Sequence, residues 1–274
     1  MRVPFVRVCL IASVALACAV LGVQFQRAIG VGRVATWLKL VTPAPARAHL
    51  GDNRLPQPSH WQARKAIIEL QKPSVPDGAI LLLGDSIIES FHPNRLVVGD
   101  RSCSLVNAGF GGIGVRDLLD HAEEVTAIMK PSFVLLAVGI NDARPDVDIK
   151  TWTRDYTRLV ETLIDRGATP ALFTVLPTEA GLELGSGYPA DRIARLNDAI
   201  KAIGVALDLP VVDNSAEVTG PDGLAKSGTT VDGIHPSAQI LRAFEKRWFP
   251  LAVERLQQLI GKTCAPIPQP TNTQ

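Results

Sequence analysis

Short apolar segments alternate with longer, helix-like segments over residues 59–261, and this alternation limits the folds open to the chain more than any other feature. The first apolar segment, residues 79–83, is uninterrupted, as is typical of parallel strands that are covered on both faces. A glycine and polar residues follow it, which end a strand and begin a helix. The alternating order predicts an α/β fold in one domain, with a parallel sheet covered by helices on both faces.

The predicted elements account for most of this stretch. Strands are expected at residues 79–83, 104–106, 133–138, 171–175 and 210–212. Helices are expected at residues 61–71, 115–129, 149–166, 191–206 and 237–260. Because open sheets of this class bind ligands beyond the carboxyl ends of their strands, the polar residues that follow each strand are candidates for a functional site.

The N-terminal part of the chain carries an export or anchoring segment. After Arg2 and Arg7, residues 8–23 hold no charge, and their number lies between that of a signal-peptide core and that of a full membrane span. We predict an uncleaved signal anchor within residues 1–41 that tethers an extracytoplasmic domain, periplasmic or extracellular, to the membrane. Cleavage after an Ala-x-Ala at residues 15–17 is the alternative, and it would give a secreted protein.

Proline-rich segments flank the predicted domain. Residues 42–58 contain four prolines and residues 262–274 are similar, so we predict a linker, a domain at 59–261 and a flexible C-terminal tail. Two of the four cysteines lie in the apolar segment. The other two, Cys103 and Cys264, could form a disulfide in an exported domain, or they could be two thiols that never meet.

Charge and spacing exclude several kinds of partner. The 28 basic and 27 acidic residues are interspersed and give a net charge of +1, which argues against binding of nucleic acid. No spacing of cysteines and histidines is that of a metal site. Gly109, Gly111 and Gly114 form a G-x-G-x-x-G match, but it follows the second strand and no acidic residue suited to a ribose lies near position 130. We therefore expect no dinucleotide.

Polar or glycine-rich motifs follow the first three predicted strands. Residues 84–86, Gly-Asp-Ser, follow the first strand. They are also typical of an ordinary turn between a strand and a helix, in which Asp85 or Ser86 is the N-cap. The glycine-rich stretch 107–114 precedes a helix, so its backbone N–H groups suit an anion or an oxyanion. Asn141 follows the third strand, and its carboxamide can donate to a developing oxyanion.

A fourth motif precedes the last predicted helix. Asp232 and His235 lie three residues apart there. A histidine can act as general base for a hydroxyl nucleophile when a carboxylate holds its ring in the correct tautomer. Together with Ser86, this pair would complete a nucleophilic triad.

Taken in order, the four motifs resemble those of the SGNH hydrolase family, also called GDSL-type esterases and lipases. The matching residues are GDSI at 84–87, NAGFGG at 107–112, GIND at 139–142 and DGIH at 232–235. The likeness extends over residues 78–250. It implies a three-layer αβα sandwich with a five-stranded parallel sheet of the flavodoxin-like kind.

The resemblance also implies a serine esterase mechanism. Ser86 would be the nucleophile, His235 the base, and Asp232 the residue that orients the imidazole. Esterases of this family need no metal and no organic cofactor, and we expect none.

The same resemblance assigns roles around the triad. The oxyanion would bind to the backbone N–H of Ser86, the backbone N–H of Gly112 and the side-chain amide of Asn141. Gly111 is the alternative to Gly112, because one sequence does not fix the register of this loop. Asp85 and Asp142 would be supporting carboxylates that hold the neighbouring loops.

The expected substrates are small acyl esters, foremost acetyl esters, of carbohydrate (including polysaccharide) or lipid. Aromatic residues make up 5% of the chain, which leaves few rings for a sugar-stacking platform and favours a small acyl group. Residues 178–192 form a glycine-rich loop that is expected near the mouth of the site. Acyl transfer through the same acyl-serine is an alternative, as is a silent binding module, although the complete set of catalytic residues argues against the latter.

Overall fold

The structure is a computed structural model that describes residues 58–91, 95–260 and 264–267. The predicted signal anchor, the predicted linker up to residue 57 and most of the predicted tail lie outside these residues. Within the described ranges, no helix combines the length and the apolar character that a membrane crossing requires. The proposed domain boundaries therefore stay predictions.

Five parallel strands form the centre of the fold. They are β1 (Ile80–Gly84), β3 (Arg101–Gly109), β4 (Phe133–Ala137), β5 (Thr169–Phe173) and β6 (Val211–Val212), in the spatial order β3-β1-β4-β5-β6. Every neighbouring pair in this order runs parallel. This order is that of the flavodoxin-like fold, the fold class that the resemblance implied, and in it the direction of winding reverses at β1. The segments that follow β1, β3 and β4 therefore meet at one edge of the sheet.

Two antiparallel strands that the sequence analysis missed extend this sheet. They are β2 (Arg95–Val98) and β7 (Ala265–Pro266), and both pair with β3. A two-residue turn at residues 99–100 joins β2 to β3, and Gly99 has a φ of +59° there. Glycine adopts this conformation without steric cost, which suits a tight hairpin turn. The predicted strand 104–106 is the middle of a strand of nine residues.

Helices cover both faces of the sheet. They are α1 (Pro58–Gln71), α2 (Ser86–Glu89), α3 (Val115–Met129), α4 (Ile149–Asp165), α5 (Ala190–Ala206), α6 (Ala238–Ala243) and α7 (Phe249–Ile260). The helix α1 packs against α3, α3 against α4, and α4 against α5. The helix α7 packs against the strands β2, β4, β5 and β6. A π-helical turn, Phe244–Trp248, joins α6 to α7, so the predicted helix 237–260 contains one π turn. The short helix α2 was not among the helices predicted from sequence, although Asp85 or Ser86 was the expected N-cap at this position.

Aromatic side chains fix the C-terminal helical unit to the sheet. The ring centroid of Phe244 lies 6.1 Å from that of Phe173 in β5 and 5.3 Å from that of Phe249 in α7. All three side chains are buried. Full burial of such a side chain contributes about 1.5–3 kcal/mol. The end of α6, the π turn that follows it and the start of α7 are thereby held against the sheet.

A disulfide joins Cys103 in β3 to Cys264, the residue before β7. The structure thus contains the first of the two arrangements that the sequence left open. Because this cross-link spans 161 residues, it restricts the unfolded chain. We expect the variant Cys264→Ser to have a free energy of unfolding about 2–5 kcal/mol lower than that of the wild type.

Urea unfolding of the oxidised protein and of Cys264→Ser measures this difference. Addition of a reductant should lower the stability of the wild type to that of the variant and leave the variant unchanged. Equal stabilities, or free thiols at both positions in non-reducing peptide mapping, would contradict the prediction.

Candidate active site

Ser86 is the first residue of α2 and lies directly beyond the carboxyl end of β1. The preceding residue, Asp85, caps the helix, because its carboxylate accepts a hydrogen bond of 3.0 Å from the backbone N–H of Ile87. This N-cap stabilises the abrupt change of chain direction between β1 and α2. The half-buried Ser86 side chain faces His235, and its Oγ lies 3.0 Å from His235 Nε2.

Asp232 binds the other nitrogen of the same ring. Asp232 Oδ2 lies 2.6 Å from His235 Nδ1, and Asp232 Oδ1 accepts hydrogen bonds from the backbone N–H groups of Ile234 (3.0 Å) and His235 (2.8 Å). Burial raises the pKa of Asp232, but the hydrogen bonds from the backbone and ring of His235 and from Ile234 outweigh burial and hold this pKa below its ordinary value. An ionised carboxylate only accepts hydrogen bonds. It therefore favours a proton on Nδ1, which leaves Nε2 as an acceptor facing Ser86.

The loop that carries Asp232 and His235 is held by a carboxylate that the sequence analysis did not single out. Glu179 accepts hydrogen bonds from the backbone N–H groups of Thr230 (2.8 Å) and Gly228 (2.9 Å). The Thr230 N–H in particular holds the pKa of Glu179 below its ordinary value, despite an opposing effect of burial. Leu184 also donates its N–H to the carbonyl of Asp232 at 2.9 Å. The loop at residues 178–192 thus packs directly on the Asp232–His235 loop.

The glycine-rich loop after β3 presents two adjacent glycines in different surroundings. Gly111 donates its N–H to the carboxylate of Glu89. Gly112 is exposed, has a φ of +74°, and has no atom other than its own and those of its chain neighbours within 4 Å of the position that a Cβ would occupy. Of the two glycines that the sequence left open, Gly112 is therefore the one whose backbone borders open space.

Asn141 and Asp142 connect the segment after β4 to this glycine-rich loop. Asn141 donates one amide hydrogen to the carbonyl of Ile113 at 2.9 Å, a bond that uses only one of its two amide hydrogens. Asp142 accepts a hydrogen bond of 3.0 Å from the backbone N–H of Val115, at the start of α3. The two side chains thereby hold the loops after β3 and β4 side by side.

Burial raises the pKa of two carboxyl groups in this region, those of Asp85 and Asp142. It raises the pKa of Asp142 to about 7 and that of Asp85 to about 6, and in both cases it outweighs hydrogen bonds from backbone N–H groups. A carboxyl group with a raised pKa keeps its proton in the folded state after the unfolded chain has lost it. Their ionisation therefore opposes folding as the pH rises.

Asp142 gives a prediction of stability against pH. Between its ordinary value of 3.8 and about 7, Asp142 in the folded protein binds a proton that it does not bind in the unfolded chain, so its contribution to wild-type stability falls over this range. Asparagine does not ionise. Relative to wild type, the stability of Asp142→Asn should therefore rise between pH 4 and pH 8, by up to about 4 kcal/mol at about 1.4 kcal/mol per pKa unit.

Urea unfolding at several pH values measures this change. The control is Asp148→Asn, because the N–H of Thr151 lowers the pKa of Asp148, so its contribution to stability changes with pH in the opposite direction. A stability difference between Asp142→Asn and wild type that is constant across this range would contradict the prediction.

Two polar residues of α1, Arg64 and His60, also reach this region and were missed from sequence. Arg64 is buried, and its Nε donates to the carbonyl of Gly109 at 2.9 Å. His60 Nε2 lies 3.0 Å from a carboxylate oxygen of Glu89. Arg64 lies one helical turn before the buried Ile68, and this spacing could have indicated that Arg64 faces inward.

The geometry defines a class of protein: a flavodoxin-like α/β protein in which a serine, a histidine and an aspartate are connected beyond the carboxyl ends of the strands. The model of the GDSL-like lipase/acylhydrolase family matches residues 82–243, more than half of the chain. The chain belongs to this family, which confirms the resemblance drawn from the four motifs, and it is an ester hydrolase of the GDSL type. Among curated proteins, no match to the sequence was found.

Solved structures agree on the fold. A GDSL-like lipase from Bacteroides thetaiotaomicron has a TM-score of 0.58 at 16% identity, over 73% of this chain and 100% of that chain. The lipase/acylhydrolase from Enterococcus faecalis has a TM-score of 0.55 at 20% identity, over 70% of this chain and 100% of that chain. At these identities the likeness concerns the fold.

Proposed function

We propose that this ester hydrolase removes small acyl groups, foremost acetyl, from carbohydrate or lipid esters outside the cytoplasm, with Ser86 as its nucleophile. The observation that carries this proposal is the hydrogen-bonded series Ser86–His235–Asp232, with distances of 3.0 Å and 2.6 Å. In this arrangement a base faces the hydroxyl and a carboxylate fixes the tautomer of that base.

The mechanism follows from these contacts. Ser86 Oγ attacks the carbonyl carbon of the ester while His235 Nε2 takes the hydroxyl proton, which gives a tetrahedral intermediate. The intermediate collapses when the bond to the alkoxy oxygen breaks and His235 returns the proton to that oxygen. A water molecule, deprotonated by His235, then attacks the acyl-serine. Collapse of this second intermediate releases the carboxylic acid and restores the Ser86 hydroxyl.

The oxyanion of both intermediates would accept hydrogen bonds from the backbone N–H of Ser86, the backbone N–H of Gly112 and the amide of Asn141. Three features support this assignment: the open space beside Gly112, the second amide hydrogen of Asn141, and the hydrogen bond that places Asn141 against the glycine-rich loop. A single donor of this kind lowers the barrier by about 3–4 kcal/mol.

The size of the acyl group and the location rest on other observations. The low content of aromatic residues, 5%, leaves few rings for stacking against a long sugar chain. The uncharged segment 8–23 is suited to export or anchoring, and the Cys103–Cys264 disulfide suits an oxidising compartment outside the cytoplasm. These features support a small ester substrate in an extracytoplasmic location.

The test of substrate class is a series of para-nitrophenyl esters with acyl chains of two, four, eight and twelve carbons, assayed with the full-length chain in mild detergent. The proposal predicts the highest kcat/KM for the acetyl ester and a steady fall with chain length. A maximum at eight carbons or more would contradict the small-acyl proposal.

A second assay separates hydrolysis from acyl transfer. Release of free acetate is compared with formation of acetylated sugar while excess xylose or glucosamine is present. Hydrolysis predicts acetate as the main product at every sugar concentration. Sugar acetates that replace acetate as the sugar concentration rises would instead identify an acyltransferase.

Location is tested by fusion of the chain to a reporter that is active only after export. The proposal predicts reporter activity that is lost when residues 1–41 are deleted. A fusion of the intact chain that is inactive, although it accumulates, would contradict an extracytoplasmic domain.

A further inference from the structure

Glu89 lies at the centre of a polar network beside the proposed oxyanion-binding loop. It is the last residue of α2, three positions after Ser86. Its Oε2 accepts the N–H of Gly111 and lies 3.0 Å from His60 Nε2, and its Oε1 lies 3.5 Å from Arg64 Nε. One carboxylate thus connects the helix that begins at Ser86 to the glycine-rich loop and to α1.

Arg64 anchors the same network to the end of β3. It donates from Nε to the Gly109 carbonyl at 2.9 Å and from Nη2 to Asn107 Oδ1 at 3.0 Å. Asn107 in turn donates its amide to the carbonyls of Ile88 (2.6 Å) and Phe91. The residues around Glu89 are therefore fixed from both the strand and the helix side, which limits the freedom of the Glu89 carboxylate.

Space around Gly111 is set by this carboxylate. A Cβ on Gly111 would lie 2.9 Å from Glu89 Oε2 and 3.3 Å from His60 Nε2, both closer than ordinary van der Waals contact. A side chain at position 111 would have to displace the Glu89 carboxylate, so the contact between Glu89 and the loop favours glycine there. Glycine suits the two positions for different reasons: Gly111 lies close to the Glu89 side chain, and Gly112 has a positive φ.

The Gly112 N–H is held between two fixed points of the loop. On one side the N–H of Gly111 is bound to Glu89, and on the other the carbonyl of Ile113 is bound to Asn141. Because the peptide plane that carries the Gly112 N–H joins Gly111 to Gly112, its tilt depends on where Gly111 is held. Oxyanion donors act through a preset geometry, so a small tilt is costly to the reaction.

We propose that Glu89, supported by His60 and Arg64, is a positioning residue that sets the direction of the Gly112 N–H for the oxyanion. This inference rests on the proposed ester hydrolysis and adds a residue to its machinery. His60 and Arg64 belong to α1, which precedes the region that the family model matches, residues 82–243. The active site would thus include a helix outside that region.

The test compares three variants of the full-length chain with para-nitrophenyl acetate as substrate. Glu89→Ala removes the acceptor for the Gly111 N–H, and we expect kcat to fall about 10- to 100-fold, part of the loss of a whole oxyanion donor, with KM within about twofold of wild type. Glu89→Gln keeps an oxygen that accepts this N–H, so kcat should stay within about fivefold. The control is Glu124→Ala, which removes the ion pair of Lys65 between α1 and α3 and should leave kcat unchanged.

Hydrogen exchange at the Gly111 amide, whose N–H is bound to Glu89, gives a readout that does not depend on turnover. We expect faster exchange there in Glu89→Ala than in wild type, Glu89→Gln or Glu124→Ala, while the melting temperatures of Glu89→Ala and Glu124→Ala stay close to each other. Wild-type kcat in Glu89→Ala, or equal losses in the alanine and glutamine variants, would overturn the inference.

The two proposals fail in different ways. An inactive wild type, or one whose activity survives Ser86→Ala, counts against the proposed function. An active, Ser86-dependent wild type with an equally active Glu89→Ala counts against the positioning role alone. If the wild type is inactive, unchanged amide exchange in Glu89→Ala still overturns the contact on which the inference depends.

Discussion

Ser86→Ala is expected to lower kcat/KM for para-nitrophenyl acetate by about 10⁴-fold or more. The variant removes the only atom that can form the proposed acyl-enzyme at this position, the Oγ that lies 3.0 Å from His235 Nε2. What remains is the stabilisation that the oxyanion donors give to attack by water, and this accounts for a residual rate above that of the uncatalysed reaction. Steady-state release of para-nitrophenol measures the effect.

The matched control is Ser90→Ala, a change of the same kind four residues further along the chain. The Ser90 hydroxyl is exposed and donates to the Ser86 carbonyl at 2.8 Å, so its loss should change kcat/KM by less than about threefold. Activity in Ser86→Ala within tenfold of wild type would remove Ser86 from the role of nucleophile.

Asp232→Asn is expected to lower kcat by about 10³- to 10⁴-fold with little change in KM. An asparagine can keep the two hydrogen bonds that Asp232 Oδ1 accepts from the backbone N–H groups of Ile234 and His235. Its amide nitrogen then faces His235 Nδ1, where the wild type has Oδ2 at 2.6 Å. Because an amide nitrogen only donates, His235 must take the tautomer with its proton on Nε2, and this tautomer cannot accept the Ser86 proton.

Steady-state kinetics of the variant separate this effect from a loss of folding, when they are combined with a melting temperature. The control is Asp222→Asn, since Asp222 also binds a backbone N–H two residues on, that of Leu224 at 3.1 Å, in an exposed turn. It should retain wild-type kinetics. An Asp232→Asn variant with wild-type kcat would show that the carboxylate does not set the tautomer of His235.

The central sheet could be predicted from sequence because its strands are buried on both faces. All five residues of β1 are buried, and an uninterrupted apolar run is what such a position requires. The hairpin of β2 and β3 was missed, although the Gly-Asp pair at residues 99–100 is typical of a two-residue hairpin turn. The strand β2 has only four residues, and β3 begins with the polar residues Arg101 and Ser102, so the apolar run on each side of the turn is short.

The residues of the candidate site could be located from sequence because each follows a strand or precedes a helix in a short motif. The structure brings Ser86, Asp232 and His235 together. It also shows that Gly111 lies against the Glu89 side chain whereas Gly112 borders open space. Glu89 and Glu179 could not be identified in this way. Their partners are backbone N–H groups 22 and 51 residues away. Because nearly every residue type carries a backbone N–H, the sequence does not indicate which of these groups a carboxylate binds.

Labelling with a fluorophosphonate, followed by mass spectrometry of the tryptic peptides, tests the activated serine most directly. Such a reagent forms a covalent bond with a serine hydroxyl that a neighbouring base deprotonates, whatever the natural ester is. We predict one adduct, on Ser86, and a loss of labelling in His235→Ala. An adduct on another serine, or labelling of Ser86 that is as fast in His235→Ala as in the wild type, would contradict it.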